Sequence, residues 1–301
     1  MKIAILGSTG CVGSALINRM LSYTRHEIIA SYRDGKPHPE GVKRERMLWR
    51  PVDLSDQKST ESFLEGCDVL IYLIHSLGSK NFSELDKKFA KVAADAAKAS
   101  GIKKIIYLGG IFPRNQKLSS HLVSRKETGS VLGSSGIPTV ELRASILLGA
   151  CSVSYRMVYF LSKRLPLIVG PKSLNSLCSP IALDDAVDAV VFLLEKEMIE
   201  SREIYEIGAQ TMSYGDLLKK CAKSAGKKDI KIFTLGLPTF LFSFWIGLIC
   251  NVDHRTAVVL SESLKNNSNF MFNRFKEITG RDAKPIDEVL ASLAKEMEAF
   301  G

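Results

Sequence analysis

Three glycines near the start, Gly7, Gly10 and Gly13, sit at three-residue steps within Gly-Ser-Thr-Gly-Cys-Val-Gly. An apolar run over residues 3–6 precedes them, and a helix-like stretch with Ala15, Leu16, Met20 and Leu21 follows. Strand, glycine turn and helix in this order leave free N–H groups at a helix N-terminus, where phosphate oxygens dock. Gly7 suits the tight turn, Gly10 a close approach of pyrophosphate, and Gly13 close helix packing. The spacing predicts a dinucleotide site on Gly7, Ser8, Thr9, Gly10, Cys11, Val12 and Gly13. Ser8 and Thr9 add hydroxyl donors. The second strand ends Ala30-Ser31-Tyr32-Arg33-Asp34. A carboxylate there would bind a ribose 2′-hydroxyl, whereas a basic residue accommodates a 2′-phosphate. Arg33 can pair bidentately with phosphate, so NADP(H) is expected in preference to NAD(H). Asp34 would favour NAD if the strand ran one residue longer.

The elements that would position these residues alternate. Strands are expected over residues 26–32, 47–52, 68–73, 103–108 and 138–142, with helices over 58–64, 82–100 and 119–135. Phe82, Leu85, Phe89, Val92 and Ala96 make one helical stripe. The run 68–73 is apolar throughout, as in a parallel strand covered on both faces. This alternation predicts an α/β fold: a Rossmann-type, doubly wound parallel sheet with a smaller C-terminal α+β substrate region. The expected division is a dinucleotide-binding domain over 1–150 and a substrate or lid region over 151–301 packed on it, with strand and helix segments, among them a strand over 203–207, returning to the Rossmann core. In the 151–301 region, Asp184 reads as the N-cap of a helix over 186–195, and Ser213-Tyr-Gly-Asp216 as a capping box. Ligands in such sheets sit beyond the strand C-termini. His75 stands at one of them, as a ligand contact or as a satisfied loop histidine. Glu141 and Arg143 flank Leu142 and read as a local polar network.

Composition narrows the class. Of 301 residues, 46% are apolar and 24% charged, which suits a globular protein with a sizeable core. The net charge of +9 contains no run of five like charges and no aromatic-interleaved basic module, so nucleic acid is not an expected partner. The six cysteines are scattered without a CxxC pair, which predicts no metal site and reduced thiols in a cytoplasmic location. Met1-Lys2 runs straight into the first strand, without the pattern of a signal peptide. Residues 237–250, from Leu237 to Cys250, are the strongest apolar run, too short for the roughly 20 residues of a membrane span. They read as a buried helix or the wall of a substrate cleft, with peripheral membrane contact or a dimer face as alternatives. The remaining partner is a small molecule, bound by a monomer or homodimer.

The tracts GSTGCVG (7–13), SYRDG (31–35), CDVLIYLIHSLGS (67–79), KKIIYLGG (103–110), LSSHLVSRKETG (118–129) and GIPTVELRASILLG (136–149) resemble the atypical short-chain dehydrogenase/reductases of the NmrA-like, NAD(P)-binding type. Within them the chain looks like the bacterial YbjT-like group. The resemblance runs along nearly the whole chain. It implies that Asp53 and Leu54 contact adenine, that Leu73, Ile74 and His75 border the cofactor ribose, and that Ala144–Ile146 pass near the nicotinamide.

The resemblance also locates a departure. Such enzymes typically carry Tyr-x-x-x-Lys and a serine after the fifth strand. Here the matching tract reads His121-Leu-Val-Ser-Arg125, and the serine position falls at Leu108-Gly109-Gly110, which has no hydroxyl. Gly109 would then face the cofactor. Arg125 could hold ribose or phosphate. His121 could act as acid or base, since imidazole titrates near neutrality, or could contact cofactor or substrate, or simply start a helix. His121, Arg125 and His75 are the candidate catalytic residues. The expected function is an NADP(H)-dependent oxidoreductase acting on a small apolar or quinone-like substrate. The alternative is a catalytically silent NADP(H)-sensing regulator or assembly protein. A sugar-nucleotide epimerase ranks last, because that group typically keeps Tyr-x-x-x-Lys.

Overall fold

The computed structural model describes residues 1–33, 45–227, 230–236, 239–250 and 252–299. Asp34, Leu237 and Pro238 lie outside the described residues, so the place of Asp34 in choosing the cofactor does not enter the structural account. The core is a seven-stranded sheet. In chain order its first six strands are β1 (Lys2–Leu6), β2 (Glu27–Tyr32), β3 (Met47–Pro51), β4 (Val69–Tyr72), β5 (Lys104–Gly110) and β6 (Thr139–Ala144). A seventh, Arg202–Ile207, returns from late in the chain and pairs with β6. The spatial order is Arg202–Ile207, β6, β5, β4, β1, β2, β3, and every pairing is parallel. Chain order reverses between β1 and β4, which places the ligand groove beyond their C-terminal ends.

Pleating explains the two faces. Ile3 and Ile5 enter one apolar cluster with α1 (Cys11–Tyr23) and the later helix Leu183–Glu195. Ala4 and Leu6 enter a second cluster with α2 (Gln57–Leu64) and α3 (Phe82–Ala99). On α3 the most buried face is not the expected stripe, whose Leu85, Phe89 and Val92 are only half-buried. It is Asp86, Ala90, Ala93 and Ala97, whose small side chains let α3 approach its neighbours closely. Both β5 and β6 run two residues beyond expectation, because Gly109–Arg143 and Gly110–Ala144 still pair. α4 (Ser120–Gly133) is capped by Ser119, whose hydroxyl accepts the Leu122 N–H.

A third cluster joins α5 (Val153–Arg164), α7 (Tyr214–Ser224), α8 (Thr239–Cys250) and Ile286–Ala299. α6 (Leu183–Glu195) precedes α7. Ala182, not Asp184, is the N-cap of α6. Ile181 and Ala182 pair with Leu147 and Leu148, which keeps the chain extended up to that point and puts Asp184 in the first turn. The capping box of α7 forms as expected: the Ser213 hydroxyl accepts the Asp216 N–H at 3.0 Å and donates to its carboxylate at 2.7 Å. α9 (His254–Ser263) packs against α8 and α4.

The expectation of wholly reduced thiols is corrected. Cys67, Cys178, Cys221 and Cys250 are buried free thiols, but Cys11 and Cys151 form a disulfide. Its partners lie 140 residues apart, so spacing carried no sign of it. The fold sets the first residue of α1 beside the turn that leads into α5.

Candidate functional site

The glycine turn has the backbone its sequence demands. Gly7 adopts φ +94°, in the left-handed region that favours glycine. A Cβ on Gly13 would stand 2.2 Å from the Gly7 carbonyl oxygen, so α1 lies directly on the loop. The first N–H groups of α1 have no side-chain cap and no acidic residue in the first turn. Ser8 differs from expectation. Its buried hydroxyl donates to Ile5 O at 2.7 Å and accepts the Ser31 N–H at 2.9 Å, so it ties β1 to β2 instead of facing a ligand. Ser31 reciprocates by accepting the Gly7 N–H at 3.0 Å. Thr9 is exposed, and Cys11 and Val12 are half-buried.

Arg33 is exposed at the end of β2. Asp53 is exposed after β3, and hydrogen bonds from Ser55 hold its carboxyl below the usual range. Leu54 beside it is buried. Leu73 and Ile74 are half-buried at the end of β4, with Leu73 against Gly7.

His75, His121 and Arg125 come together although β4 and α4 supply them separately. Arg125 is buried, with Nε donating to the Tyr107 hydroxyl at 3.0 Å and Nη1 to the Ile74 carbonyl at 3.4 Å. The Tyr107 hydroxyl in turn donates to the Arg125 carbonyl at 3.0 Å. Burial works against the Arg125 charge, but Tyr107 and Asp86 outweigh it and raise the pKa. Asp86 accepts a hydrogen bond from Ser124 at 2.8 Å. Buried on α3, it supplies the negative charge that a buried guanidinium requires. Residue types alone did not single out Asp86 or Tyr107; the one available sign was a carboxylate and a hydroxyl on otherwise apolar or alanine-rich faces.

Burial, with the Arg125 charge adding to it, keeps both histidines neutral. Burial, then Arg125, then His75 lower the His121 pKa to about 3, so its imidazole is neutral at neutral pH. His75 meets solvent, yet desolvation by the surrounding protein and the charge of Arg125 push its pKa down too. Gly109 packs against the Tyr107 ring: a Cβ there would lie 2.9 Å from it. Glu141, beside Gly109, pairs with Arg143 at 2.7 Å and Arg202 at 2.9 Å, which is the polar network expected of it.

His121 lines a cavity of about 130 Å³ that opens to solvent. Gly110, Ala144 and Ser145 border it at the ends of β5 and β6. Met157 and Leu161 of α5 and Phe242 and Ile246 of α8 supply apolar wall. Two residues of the apolar run, Phe242 and Ile246, thus form part of the cleft wall. Among the described residues, no helix is long and apolar enough to cross a membrane.

Residues 7–147 match the family model described as NAD(P)H-binding. Among solved structures, the chain is similar to a nucleoside-diphosphate-sugar epimerase from Staphylococcus aureus, at 16% identity, with 97% of this chain and 100% of that chain covered and a TM-score of 0.79. It is also similar to an NADPH-dependent quinone oxidoreductase from Escherichia coli complexed with NADPH, at 19% identity, with 97% and 99% covered and a TM-score of 0.77. A triphenylmethane reductase from Citrobacter sp. complexed with NADP(H) is 17% identical, with 98% and 100% covered and a TM-score of 0.76. At these identities the likeness is one of fold. No curated protein matches the sequence. Residues 7–147 therefore match an NAD(P)H-binding family, and the likeness to these solved structures is that of a shared Rossmann-type fold.

Proposed function

We propose that this protein is an NADP(H)-dependent oxidoreductase that reduces a small, apolar, quinone-like substrate beside His121 and Arg125. The observation that carries the reading is the apolar cavity that meets the sheet where the neutral His121 stands. The uncapped α1 N-terminus and the glycine turn suit a pyrophosphate, and exposed Arg33 suits a 2′-phosphate. When bound, the nicotinamide supplies hydride.

The residues of this chain then have defined work. Leu73, Ile74 and His75 flank the groove, with Asp53 and Leu54 on the adenine side. The apolar cavity walls hold the substrate ring against the sheet. Neutral His121 offers a hydrogen bond to a substrate oxygen, and the Arg125 cation behind it favours negative charge developing on that oxygen. An alkoxide, left by reducing a simple ketone, needs a proton from an acid that His121 is not. A phenolate-like oxygen, left by reducing a quinone, is a far weaker base that hydrogen bonds suffice to hold until water protonates it. The site therefore suits quinones better than simple ketones.

NADPH oxidation followed with a panel of quinones, enones and cationic dyes tests this. Turnover is expected with neutral quinones, and His121→Ala should lower kcat/KM on the order of a hundredfold, the typical cost of one lost donor to a developing oxyanion. Turnover unchanged by His121→Ala would contradict the site. Tight NADPH binding without oxidation of any acceptor would favour the NADP(H)-sensing role instead.

A further inference from the structure

The cavity wall beyond His121 is apolar but carries hydroxyls at defined places. Ser145, directly after β6, shares a hydrogen bond of 2.8 Å with Ser268, which shares another of 3.0 Å with the Tyr214 hydroxyl. These three groups come from segments far apart in sequence and meet on one wall. On α9, Ser261 is fully buried and its hydroxyl has no hydrogen-bond partner, although the residue lines the same cavity. A buried hydroxyl without a partner costs stability, and alanine would serve the helix better there. Neighbouring Ser263 shows the contrast: its hydroxyl is satisfied by the Val259 carbonyl. Among the described residues, no carboxylate, ammonium or guanidinium lines the cavity. A charged ligand would lose its hydration there without an ion-pair partner on the wall.

We infer that Ser261 and the Ser145–Ser268–Tyr214 chain select the ligand: an uncharged ring compound with a second acceptor oxygen besides the one held at His121. This rests on the reading of the cavity as the substrate site and narrows it. Ser261 donates to the second oxygen, and the hydroxyl chain, which can both donate and accept, adapts to the oxygen nearest Ser145. Sulfonated and carboxylated analogues are rejected by the uncharged wall, and so are phosphate-bearing substrates such as sugar nucleotides.

The test is calorimetric binding of menadione and of a naphthoquinone sulfonate to the full chain, with oxidised cofactor present, for wild type, Ser261→Ala and Ser261→Thr. Menadione should bind at least about tenfold more tightly than the sulfonate, since no ion-pair partner on the cavity wall repays desolvation of the anion. Ser261→Ala should weaken menadione binding by roughly five- to tenfold, the usual worth of one neutral hydrogen bond, without lowering Tm. Ser261→Thr, which keeps a hydroxyl, should retain the affinity. Equal affinity for both quinones, or a Ser261→Ala variant with lower Tm and unchanged affinity, would overturn the inference. NADPH oxidation measured in parallel separates the two readings. Selective binding without turnover supports the inference and contradicts the oxidoreductase. Turnover of both quinones with equal kcat/KM supports the oxidoreductase and contradicts the inference.

Discussion

Arg125 adds to the effect of burial on the histidines around it without lining the cavity itself. Its charge is sustained by Asp86 and Tyr107 and is felt by His121 and His75, which stay neutral. A pH consequence follows. The folded pKa of His121, about 3, lies below its ordinary value of 6.5. At pH 7.5 the imidazole is neutral in both folded and unfolded chains. As pH falls through about 6.5, the unfolded chain binds a proton that folded His121 refuses, so stability declines towards pH 3. Urea unfolding between pH 7.5 and 4.5 should show this slope, and His121→Gln should make it shallower. An identical slope in the variant would mean that His121 is not held neutral. For the same reason kcat should show no ionisation near 6.5.

The strand–turn–helix unit of β1 and α1 is where element and site coincide. Sequence reading placed its glycines, because close approach and positive φ leave glycine little competition. It misread Ser8, because the partner that occupies its hydroxyl, Ser31, arrives with β2 and leaves no local sign. The disulfide was hidden for the same reason. By closing a long loop between α1 and the turn before α5, it should contribute roughly 2–4 kcal/mol to stability. Reduction, or Cys151→Ser, should lower Tm by several degrees, as scanning calorimetry would detect. A Tm indifferent to reductant would show that the bond adds nothing to the fold in solution. The alanine face of α3 was passed over because hydrophobic stripes are read by size, whereas close helix packing favours small residues.

At the scale of the whole molecule, periodicity was enough to foresee a parallel, doubly wound sheet, since runs such as Val69–Tyr72 are apolar on both faces. It was also enough to put His75 at a strand end. It did not reveal that Arg202–Ile207 hydrogen-bonds along the whole of β6, nor that Ser145, Tyr214 and Ser268 meet. Those contacts join distant segments and depend on how the later helices close over the sheet. The cavity beside His121 is where both proposals converge, and the proposed oxidoreductase requires the glycine turn to hold a dinucleotide and Arg33 to prefer the 2′-phosphate.

The most direct measurement is therefore a titration of the purified protein with NADPH and NADH, followed by nicotinamide fluorescence, for wild type and Arg33→Glu. Wild type should bind NADPH at least about tenfold more tightly than NADH, and Arg33→Glu should abolish that preference while leaving NADH affinity nearly unchanged, as expected when a charge-assisted phosphate contact is replaced by repulsion. Equal affinity for the two cofactors in wild type would contradict the role of Arg33, and no binding of either would contradict the account as a whole.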